Sequence, residues 1–118
     1  MKYMLMFWDN EYAESCPDEE ETVSVAAIRS WVDEMTERGI RLHGGPLSYA
    51  TEAAIVRVRD GETLVSDGPY AETKEQVGGY DVIECADLET AIEVAAAHPL
   101  ASTATAEVRP LEDLPGAQ

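Results

Sequence analysis

An aspartate in a turn and a histidine at a helix end are the side chains of this sequence with the clearest potential for chemistry. Asp67 opens the run Asp-Gly-Pro-Tyr, and His98 stands directly before a proline. A carboxylate beside an imidazole orients the ring and stabilises its protonated form, which suits proton transfer at a carbon next to a carbonyl. Asp67 and His98 are therefore the candidate catalytic residues, because the end of the second predicted helix can face the loop that carries Asp67.

Both residues also have a plainer structural interpretation, which composition alone favours. Asp67 can accept backbone N–H groups and hold a turn, in which Gly68 relaxes the restriction on φ and Pro69 fixes the next residue. His98 can interact with the dipole of the helix that it ends. The other histidine, His43, precedes two glycines and is expected at an exposed strand position.

The charge of the chain excludes several classes of function. Its 118 residues include 24 acidic and 8 basic ones, which gives a net charge of −16. Binding to nucleic acid or to anionic membranes depends on clustered lysines and arginines, so neither partner is expected. Residues 1–8 lack the basic flank and cleavage site of a signal peptide. We expect one cytoplasmic domain over residues 1–118, with a loose tail at about 111–118.

The sequence predicts neither a metal site nor a cofactor. Cys16 and Cys85 are too few for a disulfide framework and do not have metal-ligand spacing. Cys85 ends an alternating run and is expected to be a small buried apolar residue. There is no phosphate-binding loop, dinucleotide-binding fingerprint or nucleophile elbow.

Strands make up most of the predicted structure. Residues 2–8 are apolar on both faces, which is typical of a central strand. Asp60 and Gly61 stand between two alternating runs and are the strongest short signal for a β-hairpin. Gly78 and Gly79 permit a bulge or a close backbone approach at the start of a later strand. The alternating pattern predicts further strands at about 40–44, 53–59, 62–66, 80–85 and 104–109.

Two helices are predicted between these strands. The first spans about 22–38, has one apolar stripe, and ends at Gly39 in a Schellman motif. Asp87 caps the second helix, and Pro99 ends it. The side chains expected to be buried are Val23, Ala27, Ile28, Trp31 and Met35 in the first helix, and Leu88, Ile92 and Ala95 or Ala96 in the second.

This order of elements predicts an α+β protein of the ferredoxin-like split βαβ type, with an antiparallel sheet and two helices on one face. Residues 2–8, Val56 and Val58 then leave apolar side chains on the other face. A large uncovered apolar face is unusual in a monomer. We therefore expect a homodimer that joins sheet to sheet, with a cleft between sheet and helices or at the subunit junction.

Residues around the Asp-Gly-Pro turn are candidates for contacting a small organic ligand in this cleft. Trp8, Tyr70 and Tyr80 could line it, although aromatic side chains at such positions more often belong to a core. Lys74 could anchor an anionic ligand, but Glu75 beside it favours a surface ion pair. The candidate ligand-binding residues are Gly68, Pro69, Tyr70, Lys74 and Tyr80.

Residues 67–80, Asp-Gly-Pro-Tyr-Ala-Glu-Thr-Lys-Glu-Gln-Val-Gly-Gly-Tyr, closely resemble the signature of the DGPF subfamily of YCII-related proteins. The resemblance continues in Asp87-Leu88, Ala91-Ile92, His98-Pro99 and Glu107-Val108-Arg109-Pro110. It implies a ferredoxin-like fold that forms a dimeric α+β barrel through its sheets.

The resemblance implies a choice between two classes of function. A few relatives act on chlorinated aromatic or lactone-like substrates, and Asp67 matches the aspartate of the family's His–Asp pair, with Tyr70 in place of a phenylalanine. The family's histidine lies in the first helix, which has none here. A homodimer that binds a small ligand, or docks to a transcription-related protein, is therefore favoured over a cofactor-free isomerase, lyase or dehalogenase-like enzyme that uses Asp67 and a histidine.

Overall fold

The computed structural model describes residues 1–10, 24–70 and 75–114. Cys16, Val23, Lys74 and the end of the predicted tail lie outside these residues. In chain order the described elements are β1 (Lys2–Asn10), α1 (Val25–Glu37), β2 (Arg41–Pro46), β3 (Ala54–Arg59), β4 (Glu62–Asp67), β5 (Glu75–Glu84), α2 (Leu88–Ala96) and β6 (Thr105–Pro110).

Four of the described strands form one antiparallel sheet in the order β2-β5-β1-β6, and among these described strands β3 pairs only with β4, in a separate hairpin. This order is that of the split βαβ arrangement, so the predicted α+β class is confirmed. The predicted bulge is also present, because Phe7 pairs with Gly79 whereas Trp8 pairs with Val77, which leaves Gly78 as the extra residue.

The hydrophobic core lies between the sheet and both helices. Every second residue of β1 points into it, as expected for a strand with one face against helices. They are buried together with side chains of β5, α1 and α2. The buried cluster consists of Tyr3, Leu5, Phe7, Trp31, Met35, Ile83, Ala91, Val94 and Ala95.

Helix α1 ends as the sequence predicts. Gly39 has φ +75°, its N–H donates to the Thr36 carbonyl at 3.0 Å, and the Ile40 N–H donates to the Met35 carbonyl at 2.9 Å. These two bonds are those of a Schellman motif. The predicted apolar stripe is too wide, however, because Ala27 is exposed and Ile28 is only half-buried.

Helix α2 is capped by Asp87 and buries Ala95, as predicted, but the prediction that Leu88 and Ile92 are buried is wrong. Leu88 and Ile92 are 45% and 51% exposed, whereas Ala91 and Val94 face the core. The Trp31 indole N–H donates to the Val94 carbonyl at 3.1 Å, which brings α2 close to α1. The small side chains of Ala91 and Ala95 permit this close approach. Relative to the prediction from Leu88 and Ile92, α2 is rotated about its own axis by about one residue, or roughly 100°.

The predicted hairpin is confirmed, but its place in the fold differs from the prediction. Asp60 and Gly61 have φ values of 53° and 77°, as a tight turn with two positive φ values requires. Val56 and Val58 were expected to extend the second face of the main sheet. They lie instead on the hairpin, exposed, because β3 forms strand pairs only with β4.

The second face of the main sheet carries apolar side chains but none of the described helices. Met4, Met6, Trp8 and Tyr80 are half-buried there, and Val82 is buried. The shortest extent of the molecule is 19 Å, which fits one helix layer on one sheet at about 10 Å per layer. Among the described residues, neither helix is sufficiently long and apolar to span a bilayer.

Substitutions on the two sides of α2 test its orientation. Ala91→Leu should lower the free energy of unfolding by about 1–3 kcal/mol, because Ala91 is fully buried and a larger side chain has no room. Ile92→Gln should change it by less than about 1 kcal/mol, because that side chain is half exposed. Urea denaturation measures both, and a larger loss for Ile92→Gln would contradict the observed orientation.

Candidate functional site

A cavity of about 520 Å³ lies between the base of the hairpin and one end of the main sheet. Four chain segments meet there: the end of β1, the β2–β3 connection, the residues after β4, and the start of β5. The walls are mainly apolar and aromatic. They are formed by Trp8, Leu47, Ser48, Tyr49, Ala50, Ala53, Pro69, Tyr70, Gln76 and Val77.

Backbone hydrogen bonds hold the two loops of the cavity together. The β2–β3 connection contains a 3₁₀ turn, Ala50–Glu52, and the Gly68 N–H donates to the Ala53 carbonyl at 2.6 Å. A Cβ at Gly68 would lie 2.6 Å from the Ala53 Cβ, so only glycine permits this approach. The loops therefore meet because residue 68 has no side chain, and this positions Pro69 and Tyr70 in the wall.

Trp8 is held in the wall by a chain of polar contacts along the second face of the sheet. Its indole Nε1–H donates to Oε1 of Glu107 at 3.1 Å, and Oε2 of Glu107 lies 2.7 Å from Nη2 of Arg109. The bulge at Gly78 ends just beside the Trp8–Val77 pair. Trp8 thus presents its ring to the cavity from a fixed position.

Tyr70 is the most exposed aromatic residue of the wall, at 75%. The guanidinium carbon of Arg57, on β3, lies 5.5 Å from the centre of its ring. This is the distance of a cation–π contact, which is worth about 0.5–1 kcal/mol at an exposed site. The hairpin therefore contributes a positive charge next to the cavity.

A second polar cluster is buried in the helix–sheet layer, away from the cavity. Nε of Arg41 on β2 donates to Oδ1 of Asp81 on β5 at 2.7 Å. Burial raises the pKa of the Asp81 carboxyl, although the hydrogen bond and charge of Arg41 act in the opposite direction. A Cβ on Gly44 would collide with the Asp81 carboxylate, so this pair also depends on a glycine.

His98 is buried beside this cluster and is 4% exposed. Its ring centre lies 4.3 Å from that of Phe7 and 4.5 Å from that of Trp31. Its Nδ1 accepts the Leu100 N–H at 3.0 Å and so caps the 3₁₀ turn Pro99–Ser102. Burial, reinforced by the charge of Arg41, lowers the pKa of His98 to about 4. The ring is therefore neutral at neutral pH, with its proton on Nε2.

The structure does not bring Asp67 and His98 together. Asp67 ends β4 on the hairpin and is exposed, whereas His98 lies inside the helix–sheet layer. Within the described residues no hydrogen bond or ion pair joins them, and neither lines the cavity. The two candidate catalytic residues thus occupy different parts of the fold.

The described candidate ligand-binding residues lie in two parts of the structure. Pro69 and Tyr70 line the cavity, and Gly68 adjoins it. Tyr80 lies on the second face of the sheet, where its ring centre is 6.0 Å from that of His43. Lys74 lies outside the described residues.

The sequence did not reveal one loop of the cavity wall or the buried ion pair outside the cavity. The β2–β3 connection supplies several wall residues, and an aromatic Tyr49 soon after Gly-Gly-Pro was the available signal. The Arg41–Asp81 pair was also missed. Asp81 alternates with Ile83 and so shares the face of an apolar side chain, where a carboxylate requires a partner. Among the described residues, no three His, Cys, Asp or Glu side chains are placed to hold a metal ion.

Comparison with known proteins gives two matches. The family of YCII-related domains matches residues 1–115 of the chain. The chain is also similar to an uncharacterised protein of Rhizobium meliloti (strain 1021), with 38% identity over 118 residues that cover 94% of this chain and 92% of that protein.

The buried His98 predicts a specific loss of stability in acid. The pKa of His98 is 6.5 before burial and about 4 in the folded protein, so the unfolded chain binds more protons between these values. The stabilising contribution is therefore complete above about pH 6.5 and is lost as the pH falls towards about 4. His98→Asn keeps a capping side chain without the titrating ring. Its free energy of unfolding should therefore fall by roughly 1–3 kcal/mol less than that of the wild type on acidification.

Urea denaturation at about pH 7 and about pH 4.5 measures the difference between the two proteins. His43→Asn is the matched control, because His43 is the other histidine and is exposed. It should follow the wild type. The same acid dependence in His98→Asn as in the wild type would contradict the burial of a neutral ring.

Proposed function

Because the chain belongs to the family of YCII-related domain proteins, we propose that it is a small-ligand-binding protein that works as a homodimer. Its ligand occupies the cavity at the base of the hairpin. We assign it to the DGPF subfamily from the signature at residues 67–80, and to the cytoplasm from its acidic composition.

The observation that carries this proposal is the composition and size of the cavity. Its volume of about 520 Å³ falls within the range of roughly 300–1,000 Å³ that is usual for small-molecule sites. Three aromatic rings, of Trp8, Tyr49 and Tyr70, contribute to its walls, and few polar groups do. Such a lining suits a ligand with a flat apolar body, which stacks on rings and is oriented by one or two polar contacts.

The geometry supports binding better than it supports proton transfer. A general base must reach its proton within hydrogen-bond distance, directly or through one water. The imidazole of His98 is instead buried among aromatic rings, and its Nδ1 already accepts the Leu100 N–H. The alternative of a cofactor-free isomerase, lyase or dehalogenase that uses Asp67 and His98 therefore has less support.

A second copy of this chain is the proposed cover for the second face of the sheet. Met4, Met6 and Trp8 present apolar surface there. Charged side chains on this face include Lys2 and Glu84, which are cross-strand neighbours, and Glu107 and Arg109, which pair with each other. An interface between two copies related by a two-fold axis uses the same patch twice, so a nearly neutral apolar patch suits it despite the net charge of −16. Trp8 lies on this face and in the cavity wall, so the second copy would also enclose the ligand.

Thermal denaturation in the presence of small phenols, lactones and enolic acids tests the ligand site. A ligand at 100 times its Kd adds about 2.7 kcal/mol, which raises Tm by several degrees in a domain of this size. Ala50→Leu should abolish the shift, because Ala50 lies in the cavity wall and the larger side chain fills the space.

Ala27→Leu is the matched control, since Ala27 is an exposed residue of α1 away from the cavity. It should keep the full ligand-induced shift. A compound that stabilises the wild type and Ala50→Leu equally would place the binding elsewhere. The absence of any stabilising compound across the panel would contradict the proposed binding of this ligand class.

A further inference from the structure

We propose that Arg57 binds a singly charged oxyanion of the ligand, so that the cavity takes a ring-bearing carboxylate or sulfonate in preference to the neutral ring compound. This inference rests on the proposed ligand site and specifies its chemistry. The flat body would lie among Trp8, Tyr49 and Tyr70, with the charged group at the rim beside Arg57.

The position of Arg57 follows from the contact between the hairpin and the cavity wall. Its guanidinium carbon lies 5.5 Å from the centre of the Tyr70 ring, and Tyr70 is itself a wall residue. A cation–π contact does not use the hydrogen-bonding capacity of the guanidinium, so the N–H groups that point away from the ring remain available. Those donors match the two oxygens of a carboxylate, or two of the three of a sulfonate.

Arg57 also differs from the arginines of this chain that have acidic partners. Arg41 pairs with Asp81, and Arg109 pairs with Glu107. Across the described ranges, Arg57 forms neither an ion pair nor a hydrogen bond, and its cross-strand neighbour on β4 is Leu64. Arg29, Arg38 and Arg59 likewise have no acidic partner among the described residues, but Arg57 is the one of these that contacts a wall residue, so its charge is available to a ligand there.

The charge of the whole protein makes this local cation decisive for an anionic ligand. A net charge of −16 repels anions at long range. At physiological ionic strength, however, charges more than about 8 Å apart are largely screened, so the nearest side chain dominates. A rim position also leaves the guanidinium partly in water, which avoids the large desolvation cost of a buried ion pair.

Two fluorescent probes that share one aromatic skeleton test the inference. Anilinonaphthalene sulfonate carries one negative charge, and phenylnaphthylamine is its neutral counterpart. Titrated into the protein, Arg57→Gln should raise the Kd of the sulfonate by about fivefold or more, and that of the neutral probe by less than about twofold. Arg57→Lys keeps the charge but loses the planar pair of donors, so it should raise the Kd of the sulfonate by less than Arg57→Gln does.

Arg59→Gln is the matched control for net charge. Arg59 lies on the same strand, and its Nη1 donates to the Val58 carbonyl rather than contacting Tyr70. It should change the Kd of either probe by less than about twofold, because it alters only the distant field. Equal effects of Arg57→Gln and Arg59→Gln on the sulfonate would overturn the inference. Weaker binding of both probes by Arg57→Gln would also overturn the inference, because Arg57 would then support the cavity wall rather than bind the anion.

Ala50→Leu separates this inference from the proposed site. If Ala50→Leu raises the Kd of both probes while Arg57→Gln raises neither, the probes bind in the cavity but Arg57 does not bind the sulfonate group. If neither probe is affected by Ala50→Leu, the probes do not occupy the cavity, and the proposed site and the role of Arg57 are both contradicted.

Discussion

The helices of this protein cover one face of its sheet, while its central strand is apolar on both. Tyr3, Leu5 and Phe7 point into the helix–sheet layer and are buried. Met4 and Met6, which alternate with them, point to the second face, where none of the described helices lies and where burial is only partial. The cavity forms at the end of this second face, where the hairpin leaves the sheet. The site and the proposed homodimer thus both follow from a sheet with more apolar surface than its helices can cover.

The polar groups inside the helix–sheet layer contribute to its packing. His98 is held neutral between two aromatic rings and caps a turn, and Arg41 and Asp81 satisfy each other. Removing one partner of a buried pair leaves an uncompensated charge, so these groups are constrained together. They fix how α1, α2 and the sheet meet. The proposed ligand site uses other side chains, at the end of the second face and at the base of the hairpin.

Features set by a few neighbouring residues could be predicted from the sequence. The Asp60-Gly61 turn, the Asp87 cap and the Gly39 helix end each depend on local backbone chemistry, and each is present. The order of strands and helices, and hence the α+β class, followed from these boundaries.

Features set by distant contacts could not be predicted in the same way. The buried face of α2 depends on the bond from Trp31 to the Val94 carbonyl, which joins residues 63 positions apart. The separation of Asp67 from His98 depends on the hairpin forming its own sheet, because both its strands could equally have extended the main one. The cavity likewise needs four segments at once, of which the Asp-Gly-Pro signature marks one.

The most direct test of this account is the mass of the protein in solution, measured by sedimentation equilibrium for the wild type and two variants. The account predicts a dimer, with twice the 12.9 kDa of one chain. Met6→Lys, on the second face, should shift the equilibrium to monomer, because it places a charge in the apolar interface. Leu88→Lys, which also replaces an apolar side chain by lysine but lies on the exposed side of α2, should remain dimeric. A monomeric wild type, or dissociation by Leu88→Lys and not by Met6→Lys, would contradict the account.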